Sequence, residues 1–162
     1  MFESDDMTAA VLDMMAIKHS PIRGKNNRCH AADVMAMLWV KIPADGKWFR
    51  IGGVNGAPPM MPKCTEVGCE WVAAGVAGTG RPHARHLHAE AAAICHAAKE
   101  GFSTDFARLV VSTAPCPSCA NLIVASGIVA VGVPSSGVPD GWDVVRMALD
   151  IAGVRVQIVE VN

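Results

Sequence analysis

The spacing of hydrophobic positions changes several times along the chain, and each change marks an element. Between Met7 and Lys18 apolar residues recur at helical spacing, with Val11, Met14, Met15 and Lys18 available for one face. Ser20-Pro21 and Gly24-Lys25-Asn26-Asn27 close that segment. Val34 to Lys41 reads as a strand, Ala44-Asp45-Gly46 as a turn, and Trp48 to Val54 as the returning strand, which Asn55-Gly56-Ala57-Pro58-Pro59 ends. Pro62 to Arg85 is a glycine-rich stretch with two cysteines that reads as a loop. Loops this long in a small domain are functional or are pinned by something such as a metal. A helix follows over His88 to Lys99, helped by alanines between Ala89 and Ala98. Then come a strand (Leu109 to Thr113), a helix (Pro117 to Ser126), a strand (Ile128 to Val133), a helix (Trp142 to Ala152) and a last strand (Val154 to Val161). Strands alternating with helices predict an α/β sheet covered on both faces.

Composition narrows the class. A chain of 162 residues suits one domain spanning 1–162, long enough to bury a core, and it shows no repeat or low-complexity tract. With 51% hydrophobic and 18% charged residues it is globular in composition. The net charge of -1 argues against a long nucleic-acid partner, which calls for a basic face, whereas a small charged ligand needs only a few local cations. The opening MFESDD is acidic where a secretory leader is basic. The longest apolar run, Cys119 to Val133, is too short for a bilayer and is interrupted by Asn121, Ser126 and Gly127. A soluble, cytoplasmic protein is expected. In that compartment thiols stay reduced, so cysteines near histidines read as metal ligands before disulfides. The cysteines are Cys29, Cys64, Cys69, Cys95, Cys116 and Cys119; the histidines are His19, His30, His83, His86, His88 and His96.

Two short segments carry the chemistry. His88-Ala89-Glu90 opens one helix, and Pro115-Cys116-Pro117-Ser118-Cys119 opens another directly after a strand. Cysteines at i and i+3 on a helix start point the same way and can hold one tetrahedral ion, and the helix dipole favours their thiolates. His88 supplies a third ligand. The fourth position is left for water, which separates a catalytic zinc from a structural one. Glu90, two residues on, falls beside that water without ligating the metal. A CxxC alone also fits a structural zinc half-site or a redox pair, and an HxE alone says little. Together, in this order and context, they make the signature of zinc-dependent base deaminases.

On these residues the chain resembles the cytidine and deoxycytidylate deaminase superfamily, and within it the deoxycytidylate (dCMP) deaminase branch, from about Cys29 to Val159. HAE and PCPSC are the specific part. Gly52-Gly53-Val54-Asn55-Gly56 is similar to the family's glycine-rich strand end, and Ala120 to Ile128 and Gly141-Trp142-Asp143 also fit. The resemblance implies a three-layer α/β/α fold around a five-stranded mixed sheet. It implies hydrolytic deamination of a free cytosine nucleotide, dCMP to dUMP, by attack of zinc-activated water at C4 with Glu90 shuttling protons. It places Asn55 against the sugar or base, and the backbone around Ala89 and Thr113 to Pro115 along the pyrimidine edge. A turn after a strand would explain the Asn55-Gly56 pair equally well. The resemblance also implies a hexamer, dCTP and dTTP as effectors, and Mg2+ with an allosteric nucleotide. A second, structural zinc would be held by Cys29, Cys64, His83 and His86, with Cys69 as the alternative to His83.

The chain departs from the branch in one place. It has no tyrosine, whereas the branch stacks one against the base after the strand that follows the cysteine helix. The corresponding stretch here is Val131-Gly132-Val133-Pro134-Ser135-Ser136-Gly137. A smaller wall there suggests a 5-substituted cytosine nucleotide, unless Trp142 or Phe102 supplies the stacking face. Arg81, Arg85, Lys99 and Arg108 are phosphate candidates by charge alone, and none is assigned. Cys95 reads as a small core residue, and His96 is left without a role. Two other functions stay open: a deaminase of bases in tRNA or single-stranded DNA, which the charge disfavours, and a non-catalytic zinc-stabilised binding module, in which Glu90 would be dispensable.

Overall fold

The computed structural model describes residues 7–19, 33–68, 73 and 86–161. Five strands form one sheet: β1 (Met35–Lys41), β2 (Trp48–Val54), β3 (Arg108–Val111), β4 (Ala130–Pro134) and β5 (Arg155–Val159). Their order across the sheet is β2-β1-β3-β4-β5. β1 runs antiparallel to both β2 and β3, while β3, β4 and β5 are parallel. The helices are α1 (Thr8–Lys18), a single turn α2 (Cys64–Val67), α3 (Ala89–Lys99), α4 (Pro117–Ala125) and α5 (Asp143–Ile151). The expected α/β class and five-stranded mixed sheet are both present.

Strand alternation explains the layers. In β1, Ala36, Leu38 and Val40 join Leu109, Val111, Val131 and Val133 in a core shared with α3, α4 and α5. The intervening Met35, Met37 and Trp39, with Val110 and Ala130, join a second core under α1. Both faces are covered, so β1 reads as an unbroken apolar run and not as an alternating one. On α1 the buried stripe is Met7, Ala10, Val11 and Met14, at i, i+3, i+4 and i+7. Met15 and Lys18, expected on that face, lie at its half-buried edge.

Two further expectations are corrected. The stretch from Pro62 is not all loop, because α2 lies within it. At its start the Lys63 N–H donates to the Glu66 carboxylate at 3.2 Å, and the Glu66 N–H donates to the Lys63 carbonyl at 2.9 Å. Four residues are too few to show a period. Cys95 is exposed on α3 and is not a core residue. Its neighbour His96 places Nδ1 2.8 Å from the Gly52 carbonyl oxygen, tying α3 to β2. Among the described residues no helix is long and apolar enough to cross a membrane.

The close approach of α3 to β2 depends on one glycine. A Cβ on Gly53 would stand 2.2 Å from the Ala89 carbonyl oxygen and 2.5 Å from the Ala93 nitrogen, both backbone atoms that cannot step aside. At Gly52 a Cβ meets nothing within 4 Å. Gly53→Ala is therefore expected to lower stability by at least about 1–3 kcal/mol, as overpacking does, while Gly52→Ala changes it little. Urea denaturation of the two variants side by side checks this, and equal midpoints would contradict it.

Candidate metal centre and active site

Two helices begin at the C-terminal end of β3, and each is capped by a site residue. His88 is the N-cap of α3 and Cys116 the N-cap of α4, both in extended backbone, with Pro117 at the first position of α4. Cys119 lies one turn further in, on the same side as Cys116. The two helix N-termini thus present positive dipole ends to a common point, which favours thiolate and carboxylate there.

The three ligand atoms lie within 4.8 Å of one another. His88 Nδ1 is 3.6 Å from Cys116 Sγ and 3.3 Å from Cys119 Sγ. A tetrahedral zinc with its usual bond lengths to nitrogen and sulfur requires N···S edges of about 3.6 Å. The observed edges match, and an N,S,S donor set is one that zinc takes, so the residues fit the ion. Among the described residues this is the one such cluster.

Without a metal, burial works against those charged forms. Burial, then the Glu90 carboxylate and Cys116, push the Cys119 thiol far above its ordinary value. A divalent cation reverses that balance, since a coordinating thiol is deprotonated outright. Glu90 is 4% exposed. Burial raises its pKa above 4.5, against the opposing pull of its own backbone amide, His88 and Cys119. A buried carboxyl whose pKa is raised beside three candidate metal donors is the kind of group that clusters at functional sites.

A cavity of about 230 Å³ opens over this cluster, lined by Val34, Asn55, His86, His88, Ala89, Glu90, Thr113, Ala114 and Cys116. Asn55, Ala89 and Thr113, scattered in sequence, therefore meet in one pocket. Asn55 is buried and clamped to Val34: its Oδ1 accepts the Val34 N–H at 2.8 Å, and its own N–H donates to the Val34 carbonyl at 3.2 Å. The neighbouring Gly56 pairs with Leu87 through two backbone hydrogen bonds, 3.0 and 2.8 Å, which sets the strand end beside His88.

Other candidates fall elsewhere. His86, expected at a second metal, lines this cavity with its ring edge-on to His88 at 5.4 Å. Cys64 is buried at the start of α2. Cys29, Cys69 and His83 lie outside the described residues, as do Arg81 and Arg85. Lys99 ends α3, and Arg108 lies over the Trp48 ring at 4.9 Å; neither lines the cavity. Nor does either aromatic proposed in place of the missing tyrosine. Phe102 stacks on Phe49 at 5.1 Å, and Trp142 is buried, its indole N–H donating to the Pro115 carbonyl at 2.8 Å. Trp142 thus fixes the residue before Cys116. The signal for this role was the Gly141-Trp142-Asp143 segment, whose indole must find an acceptor when buried.

The description "cytidine and deoxycytidylate deaminase zinc-binding region" belongs to the family whose profile matches residues 52–134. No curated protein matches the chain. Among solved structures, the dCMP deaminase of cyanophage S-TIM5 in complex with dCMP and dUMP is 24% identical, with TM-score 0.66 over 93% of this chain and 94% of that one. Its apo form is 23% identical, with TM-score 0.63 over 96% and 99%. A diaminohydroxyphosphoribosylaminopyrimidine deaminase/5-amino-6-(5-phosphoribosylamino)uracil reductase of Thermotoga maritima is 21% identical, with TM-score 0.57 over 94% of this chain and 37% of that one. At these identities the likeness is one of fold.

The Trp142 bond generates a test. Trp142→Phe keeps most of the ring but leaves the Pro115 carbonyl without its indole donor. The variant is expected to lose about 1–3 kcal/mol, the cost of an unmet buried polar group. It should also release metal to a chelator faster than wild type. Thermal unfolding with and without zinc, and a chelator time course, measure both.

Proposed function

The chain belongs to the cytidine and deoxycytidylate deaminase family, and on that premise we propose that it is a zinc-dependent hydrolase of a free cytosine nucleotide, converting dCMP, or a 5-substituted dCMP, to the uracil nucleotide. The observation that carries this reading is the set of three donors at tetrahedral spacing under a cavity, with a buried carboxyl beside them. His88, Cys116 and Cys119 would hold the ion. When bound, zinc supplies a Lewis acid that lowers the pKa of a water to about 7. Glu90 would take one proton from the attacking water and deliver it to the ring nitrogen N3, then take the second from the C4 hydroxyl and pass it to the departing ammonia, so that C4–NH2 and H2O become C4=O and NH3. Asn55, held by Val34, meets the sugar or base. The backbone at Ala89 and from Thr113 to Pro115 faces the pyrimidine edge. The same reading takes the whole chain as one domain in a cytoplasmic homo-oligomer, with dCTP and dTTP, with Mg2+, as effectors.

A panel of cytosine, 5-methylcytosine and adenine nucleosides and nucleotides, followed by ultraviolet absorbance, tests the reading. Turnover is expected on cytosine nucleotides, and strong preference for unsubstituted dCMP would reject the 5-substituted substrate. Glu90→Gln is expected to keep zinc and lose about 10²–10⁴-fold in turnover, as removal of a general acid–base does. Unchanged function would instead support a binding module.

Glu90 also gives a pH-dependent expectation for the metal-free protein. Its pKa is raised by folding, so the protonated form is favoured in the folded state and ionisation costs stability. Below the unfolded value near 4.5 this cost is absent; it grows as pH rises through the window above it. Metal-free Glu90→Gln should therefore exceed wild type in stability at neutral pH, with the gap closing toward pH 4. Urea midpoints across pH measure it, and a gap that widens on acidification would overturn the assignment.

A second zinc held by Cys64 with Cys29, His83 and His86 is part of the same proposal. Metal analysis is expected to return about two zinc per chain, falling to about one in Cys64→Ser. One zinc in both proteins would exclude the second site.

A further inference from the structure

The last helix carries more apolar surface than the sheet covers. At 3.6 residues per turn, Met147, Ile151, Val144, Ala148, Val145 and Leu149 of α5 form one apolar arc about 200° wide, and Arg146, Asp150 and Asp143 fill the remaining side. α5 packs on α4 and β5. Only Val145 and Leu149 join the core there. Val144, Met147 and Ile151, at i, i+3 and i+7, stay 75%, 61% and 82% exposed. A globular helix needs an apolar stripe of about 100° to face its core, so the outer half of this arc is left over. The surface continues onto the sheet edge. β5 is an edge strand, and Ile158, two residues beyond the core-packed Val156 and so on the same face, is also exposed.

The charges of α5 indicate what this stripe suits. Arg146 and Asp150 lie one turn apart on one flank of it, 3.8 Å from each other and each about half exposed. A twofold axis between two antiparallel copies of α5 brings the same flank of each copy together with its direction reversed. Arg146 of one copy then stands opposite Asp150 of the other, twice. Val144 faces Ile151 across the axis, and the two Met147 side chains meet near it. A membrane surface suits the stripe less. Helices that lie on lipid carry Lys and Arg along the polar face, and this one has two aspartates and one arginine there.

We propose that Val144, Met147 and Ile151 form the contact through which two copies of this chain associate, α5 against α5 about a twofold axis. The proposal goes with the homo-oligomer of the reading above but takes nothing from its chemistry, so a failed interface leaves the deamination tests to decide by themselves. Its reach extends to the metal donors. Trp142 caps α5 at its N-terminus, and its indole holds the Pro115 carbonyl next to Cys116. Association therefore braces the cysteine loop from behind. A standard interface buries about 800 Å² on each partner. One helix of nine residues, about 14 Å long, offers less, so the contact forms and breaks with protein concentration.

Sedimentation velocity of the zinc-loaded chain from about 1 to 100 μM, the range in which a small interface assembles, tests this. Wild type is expected to shift from monomer toward dimer. Met147→Glu and Ile151→Glu, each at an exposed position, should weaken association at least about tenfold with the circular dichroism unchanged. Arg146→Asp should weaken it as well, and adding Asp150→Arg to that variant should restore it. A larger assembly upholds the proposal if Met147→Glu splits it. A wild type that stays monomeric to the highest concentration, or association that survives both glutamate substitutions, overturns it. Monomer that instead sediments with phosphatidylserine vesicles overturns it in favour of lipid. Zinc release to a chelator should slow as wild type associates and be independent of concentration in Met147→Glu. Wild-type release equally fast from monomer and dimer overturns the bracing of the loop.

Discussion

The meeting of two helix N-termini at the end of β3 is the constraint on which the rest of this structure depends. His88 and Cys116 are at once candidate metal donors and N-caps. The position of each ligand is therefore set by where its helix starts, and where the helices start is set by the sheet. Metal spacing tolerates errors of only a few tenths of an ångström, so the supporting elements must be rigid. The two buried cores on either face of the sheet provide that rigidity.

The supports can be traced outward from the site. Gly53 lets α3 approach β2 closely enough to bring Glu90 in behind His88. The bridge between Gly56 and Leu87 and the Val34 clamp fix Asn55 on the opposite wall. On the α4 side the β3–α4 connection is held at Ser112, Ala114 and Pro115 by Met35, Gly137 and Trp142. Each of these contacts joins segments distant in sequence. Mutations that never touch a ligand should thus reach the metal through backbone position.

Much of this was legible in the sequence because its signals are local. The apolar run of β1, the alternation in the second half and the paired HAE and PCPSC segments need no tertiary information. The strands fell within two residues or so of their expected bounds for that reason. What was missed depends on contacts at long range or on very short elements. Cys95 sits in an alanine-rich helix whose buried side is chosen by the sheet, and so its exposure could not be read from its neighbours. The turn α2 is shorter than any period. Lys18 does continue the stripe of Met7, Ala10, Val11 and Met14, but at the helix end, where it is half-buried and lines a cleft.

The hydrogen bond from Trp142 to Pro115 has a thermodynamic corollary. Among the described residues, nothing after Cys119 belongs to the candidate donor cluster, yet Trp142 holds the loop that presents the cysteines. Occupancy of the metal and ordering of α5 are then linked functions: whatever binds to the assembled cysteines shifts the folding equilibrium of the C-terminal β-α-β unit, and loosening that unit lowers the affinity for metal by the same free energy. A metal held by these donors would in this sense be a cofactor for folding a region it does not touch.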